Sequence, residues 1–176
     1  MSADSILQNA SVQRVRDALR LRGVTGERLI ALDGAARTAA EAAAALGCEV
    51  GAIVKSLVFA AGEQAVMALV AGDRQCDLAM LGRALGLTGQ PGGGPGEGPG
   101  LSRADPALVR RATGFAIGGV APLGHPEQLP IAIDGSLARF PLLHAAAGHP
   151  HAVFPLTYEE LLEWTGGIAV PDLTRA

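Results

Sequence analysis

The chain has 176 residues and a formal net charge of −3. That length suits one domain with a sizeable core, and that charge argues against a broad basic surface for DNA or RNA while leaving room for a local patch. Hydrophobic residues make up 49%, much of it alanine, and aromatics only 3%, so the core must be mostly aliphatic, and no apolar run reaches the ~18 residues that a membrane span needs.

The opening residues, Met-Ser-Ala-Asp-Ser-Ile-Leu-Gln, carry neither the basic nor the apolar region of a leader. Residues 5–22 read as a helix, started by a Ser5/Gln8 capping box or by Ser11. Val12, Val15 and Leu19 fall on one face and Gly23 can stop it. Arg16 and Arg20 share another face, either solvated or in contact with phosphate. Residues 29–32 are a short strand and Asp33-Gly34 a turn. Thr38 and Glu41 fit a capping box for an alanine-rich helix that runs to Leu46 and stops at Gly47.

Residues 53–60 then form an apolar strand, and 65–70 its antiparallel partner. Asp77 caps the next helix, with Leu78, Leu81 and Leu85 on its buried face. Residues 89–100 are almost entirely glycine and proline; a mobile loop is expected, inside one domain spanning 1–176. This loop has no GxGxxG and no following GK[ST], so phosphate cradling is not expected of it. Asp105 caps a short helix with Pro106 at its first position. Residues 115–125 lead through Gly118-Gly119-Val120-Ala121-Pro122 to His125. A strand at 131–133, a turn at Asp134-Gly135, a short helix around 142–147 and a strand at 152–154 come next. Thr157 with Glu160 opens a helix that runs to Thr165, and a strand at 168–170 precedes a frayed tail. Short strands interleaved with short helices, without a regular βαβ rhythm, predict an α+β fold with a mixed sheet.

Lys55 stands out because it is the only lysine beside 13 arginines and it interrupts an apolar strand. Facing inward, it needs a partner or a lowered pKa; at a pocket mouth it can hold an anion or a hydroxyl. On an edge strand it would only snorkel to water. Gly118 and Gly119 leave backbone N–H groups free to approach a ligand, an oxyanion included; otherwise the loop is an ordinary turn. His125, His149 and His151 are the conceivable metal ligands, but Pro150 restricts their convergence and no zinc-site spacing occurs, so no metal or other cofactor is expected. Cys48 and Cys76 form no CxxC and read as reduced small hydrophobes of a cytoplasmic protein. No nucleophile motif is present.

Taken in order, these pieces resemble the YbaK/EbsC family, free-standing relatives of the editing domain of bacterial prolyl-tRNA synthetases. The pieces are Arg37-Thr38-Ala39-Ala40-Glu41-Ala42-Ala43, Ile53-Val54-Lys55-Ser56-Leu57, Gly118-Gly119-Val120-Ala121-Pro122, and Leu129-Pro130 with Ile133-Asp134. The match runs over about residues 11–168, with 89–100 as an insertion. The resemblance implies a largely antiparallel, barrel-like sheet surrounded by short helices. It also implies hydrolysis of mischarged aminoacyl-tRNA, tRNA-Pro carrying Cys, Ala, Ser or Thr, with no metal and no protein nucleophile. Lys55 and Gly118 then take the catalytic positions. Thr38, Ser56, Gly119, Pro122, His125 and Asp134 contact substrate. The partners implied are the 3′ end of the aminoacyl-tRNA and a prolyl-tRNA synthetase, with no membrane or DNA. A non-catalytic tRNA- or synthetase-binding module, and a Schiff-base lysine enzyme, are the alternatives.

Overall fold

The computed structural model describes residues 2–34, 36–87 and 100–176. Apart from Gly100, the glycine- and proline-rich stretch lies outside them. The N-terminal helical stretch is two helices, α1 (Ala3–Leu7) and α2 (Ala10–Arg20). Ser2, not Ser5, caps the first, and Asn9 interrupts the run because its side chain accepts the Ser11 N–H. The other helix starts are local signals and form as expected. Thr38 and Glu41 close a reciprocal cap on α3 (Ala39–Leu46), and Gly47 ends it with φ 66°. Asp77 caps α4 (Leu78–Ala84), Asp105 caps α5 (Pro106–Thr113), and Thr157 with Glu160 caps α6 (Tyr158–Thr165).

The strands are β1 (Ile30–Ala31), β2 (Ile53–Ala61), β3 (Gln64–Ala71), β4 (Gln75–Cys76), β5 (Leu101–Arg103), β6 (Ile131–Asp134), β7 (Leu143–His149), β8 (Ala152–Leu156), β9 (Ile168–Val170) and β10 (Thr174–Arg175). The main sheet runs β1-β8-β7-β2-β3-β6-β9, with β5 also on β2, and β4 pairs with β10 separately. Pairs β2–β7, β3–β6 and β6–β9 are parallel and the others antiparallel. The fold is therefore α+β with a mixed, largely antiparallel sheet.

Two expectations fail, both through long-range pairing. Residues 142–147 are not a helix: Leu143–His149 is β7, held between β2 and β8. The alanines favour helix by only a few tenths of a kcal/mol each over most residues, and burial within a sheet outweighs that. The tail is not frayed either: Thr174 and Arg175 pair with Cys76 and Gln75, and Leu173 is fully buried.

The sheet has a core on each face. Met67, Leu69 and Ala71 of β3 pack with α2, β7, β8, Phe115 and α6. Val66, Ala68 and Val70 pack with Leu81 of α4 and with Leu173. A third, small cluster joins Ala42 and Ala43 of α3 to Ile53. Strand β2 is central. Its edge toward β3 is paired from Val54 to Ala61. Its other edge meets β7 only at Ile53 and Val54, and β5 only at Phe59, Ala60 and Ala61. Between those two contacts the sheet is split.

Candidate active site

The split opens into a cavity of about 870 Å³, within the usual range for ligand sites. At its lower limit the Ala104 N–H reaches the Val58 carbonyl at 3.3 Å. Backbone groups on a strand point to alternate edges, so the Ser56 N–H and C=O share the direction of the Val58 carbonyl and point into the split. The register also sets the side chains. Lys55 lies on the face of Leu57 and Phe59, and Ser56 on the face of Val54 and Val58. The cavity wraps the bare edge and so reaches both Lys55 and Ser56.

The Lys55 ammonium donates to the carbonyl of Arg74. Burial lowers its pKa below the ordinary lysine value, while Asp73, Asp134 and Cys76 pull the other way. None of these is a direct ion pair. Lys55 sits opposite Val70 of β3, and Asp134 lies beyond Val70 on β6, two strand spacings or roughly 10 Å away. Asp73 is held in a bidentate pair by Arg139 at 2.8 and 3.1 Å. Burial, then Asp77 and Asp134, push the Cys76 thiol up to about 11, which keeps it neutral.

Gly118 lines the cavity with φ 96°, a conformation that suits glycine. Its N–H has no acceptor among the described residues. Gly119 differs: its N–H donates to Ala116 O at 3.1 Å, and a Cβ there would lie 2.7 Å from His149 N and 2.8 Å from its Cα. Gly119 therefore packs the loop against the β7–β8 hairpin, while the Gly118 N–H is left without an acceptor among the described residues. Thr38 lines the far wall, where its hydroxyl already accepts the Glu41 N–H.

The remaining sequence-predicted residues lie elsewhere. Pro122 and His125 line a second depression with Arg22 and Trp164, on the other side of the loop. His125 Nε2 is 2.8 Å from Ala121 O, and burial lowers its pKa. Asp134 is fully buried. Its carboxylate accepts from Ala71 N, Ser136 N, Ser136 Oγ and Thr174 Oγ1, tying β3, the turn after β6 and the C-terminal strand together. Among the described residues no three His, Cys, Asp or Glu side chains cluster as a metal site, and no helix is long and apolar enough to cross a membrane.

Sequence reasoning missed His144. It pairs with Ile53, one rung back from the Val54–Ala145 pair at which the split begins, and lines the cavity. Its Nδ1 and the Ser56 Oγ are the two buried side-chain polar atoms without a hydrogen-bond partner among the described residues, and both belong to the cavity wall. Buried polar groups are nearly always paired, so two orphans in one cavity mark a place for a polar ligand. Burial lowers the His144 pKa, and burial with His151 lowers that of His149, also on the wall. A strand reading of 143–149 would have exposed His144; the alanine run hid it.

Residues 33–164 match the sequence profile of the aminoacyl-tRNA editing domain. The uncharacterized protein YwhH of Bacillus subtilis (strain 168) is 30% identical over 129 residues, 73% of this chain and 74% of its own length. The crystal structure of a candidate trans-editing enzyme for prolyl tRNA synthetase is 42% identical, with a TM-score of 0.81, covering 96% of this chain and 99% of that one. A scaffold structure from computational epitope grafting is 38% identical, with a TM-score of 0.82 and the same coverage. A profile that spans most of the chain, including the split and every residue named on its wall from Thr38 to His149, places this protein in the aminoacyl-tRNA editing domain family.

Proposed function

We propose that the chain hydrolyses the ester of a mischarged aminoacyl-tRNA, and that its substrate is tRNA-Pro carrying a small wrong amino acid. The observation that carries this reading is the bare edge of β2, where Ser56, Lys55 and Gly118 all line one cavity. The similarity to a candidate prolyl trans-editing enzyme supports the choice of tRNA.

The aminoacyl group lies along the bare edge, where the Ser56 backbone and hydroxyl meet its polar atoms. Lys55, compact and cationic, holds the ribose end and favours charge developing on the ester. The Gly118 N–H donates to the carbonyl oxygen as it becomes an oxyanion. Water adds to the carbonyl carbon, the ester C–O bond breaks, and the ribose oxygen leaves with a proton. The products are the free amino acid and the uncharged tRNA. His144 and His149, with pKa values held down by burial, are available on the wall to orient the water. On this reading the amino-acid side chain lies against the aliphatic part of the cavity wall, Val54, Val58, Val120 and Ala146. Such a wall separates side chains by only about 1–3 kcal/mol per methylene, so several small amino acids are cleared at related rates.

A panel of mischarged tRNAs, scored for release of the amino acid, tests the reading. Hydrolysis of one or more small aminoacyl esters on tRNA-Pro, with none for prolyl-tRNA-Pro, is the expected pattern. A folded protein that releases no amino acid from any member is a binding module instead. A prolyl-tRNA synthetase is the natural protein partner on this reading, since it produces the mischarged substrate.

A further inference from the structure

Nine of the 13 arginines divide into two sets by what they touch. Arg16, Arg20, Arg28, Arg139 and Arg175 are paired with Glu27, Asp17, Glu160, Asp73 and Asp77. Arg14 donates to Gly114 O, and Arg22 to Trp164 O and Ala18 O. None of these seven lines the cavity of the split. Arg37 and Arg103 do line it. Both are exposed, and neither has a side-chain partner among the described residues. Among the described residues no aspartate or glutamate lies on the cavity wall, although the whole chain carries 17 of them and a net charge of −3. An acidic protein thus lines one concave surface with Lys55, Arg37 and Arg103 and, among the described residues, no carboxylate; Glu41 accepts the backbone N–H of Arg37 but does not line the cavity. Such a cleft concentrates positive potential and draws in anions.

Position adds meaning to the charge. Arg103 pairs across from Phe59, where β5 closes one end of the split. Arg37 immediately precedes Thr38, the N-cap of α3, whose Ala42 and Ala43 pack on Ile53 at the other end. Phe59 and Ile53 are separated by roughly 20 Å of strand, with Lys55 and Ser56 between them. A polyanionic chain crossing the mouth can meet one guanidinium at each end while its terminal residue drops to the bare edge.

We propose that Arg37 and Arg103 form a phosphate clamp for the unpaired 3′ end of an RNA, and that Arg16 and Arg20, already engaged by carboxylates, take no part. The clamp rests on the aminoacyl-tRNA reading for the identity of the RNA. Guanidinium suits the role because its planar fork matches two phosphate oxygens at once. On α5, Arg110 and Arg111 are exposed next to the lining Val109 and continue the Arg103 side.

The test is salt-dependent binding of an uncharged, labelled RNA hairpin with a short unpaired 3′ overhang. Each phosphate neutralised on a single strand contributes a slope of about −0.7 in log affinity against log salt. The Arg37→Ala/Arg103→Ala double variant should lose about 1.4 of the wild-type slope, and each single variant about half of that. Arg37→Lys/Arg103→Lys should recover most of it, and Arg16→Ala/Arg20→Ala should match wild type. A slope unchanged in the Arg37/Arg103 double variant, a loss confined to the Arg16/Arg20 variant, or no binding by wild type would each overturn the clamp. A melting curve for each variant shows that it is folded. The outcome separates from the deacylation reading. The slope pattern without any ester hydrolysis keeps the clamp and removes the enzyme; hydrolysis with an unchanged slope does the reverse.

Discussion

Two polar clusters flank β3, and they are built on opposite rules. Around Asp134 every polar group is engaged: the carboxylate accepts four hydrogen bonds, and nearby Arg139–Asp73 and Arg175–Asp77 are closed ion pairs. Around the split and among the described residues, the Ser56 hydroxyl and His144 Nδ1 have no partner, and no carboxylate lines the cavity beside its arginines. The first arrangement fixes a structure. The second leaves interaction capacity unspent, as a binding site requires. The contrast predicts that substitutions in the two clusters act on different observables: activity on one side, stability on the other.

The largest effect is expected at Lys55. Lys55→Ala should lower turnover at least about 100-fold, the scale of removing one electrostatic stabiliser, while the protein stays folded. Lys55→Arg should fail too, since a planar guanidinium does not replace a compact ammonium. Near-wild-type turnover in a folded Lys55→Ala protein would remove Lys55 from the site. Next comes Asp134→Ala, which strands several donors in a buried setting and should destabilise by about 3 kcal/mol. Chemical denaturation reads that directly. A stable Asp134→Ala variant whose only defect is in substrate affinity would turn the contrast around and return Asp134 to the substrate.

Ser56→Ala should change stability by less than about 1 kcal/mol, because no protein hydrogen bond is lost. Its KM should rise all the same. A large loss of stability would mean that the hydroxyl has a structural partner after all. The smallest effect is with pH. Burial lowers the pKa of His125, His144 and His149. The unfolded chain therefore binds more protons than the folded one as pH falls below about 6.5, and stability must fall in that direction. Melting temperatures across pH 7.5 to 5.5 should drop, and His144→Gln should blunt the drop. A rise in Tm on acidification would contradict the burial of these rings.

What could be read from the sequence was whatever is encoded within a few residues. The caps at Thr38, Asp77, Asp105 and Thr157 depend on a side chain and an amide three positions apart, and they were legible. So was the Lys55 strand, because one lysine in an apolar run is conspicuous. The split was not. It exists because β2 meets residues 144–145 at one end and 101–103 at the other, pairings that no local pattern encodes. The pairing of Arg37 with Arg103 was hidden for the same reason: they are far apart in sequence and share only the cavity. Pro122 and His125 sit in the same loop as Gly118, yet a single turn of backbone sends them to its other side.

The bare stretch of β2 has one further consequence. Unpaired backbone on a strand is ordinarily a template on which another chain can add and aggregate. Here only residues 55–58 lie between the β7 and β5 contacts, a slot of roughly 13 Å, stopped at both ends by strands of the same sheet. A foreign strand would find only these few residues free between strands that already occupy the edge, so little ladder is on offer. What fits is a unit about as long as a single amino acid and its ester. The protein thus exposes raw main chain over a length suited to a small guest.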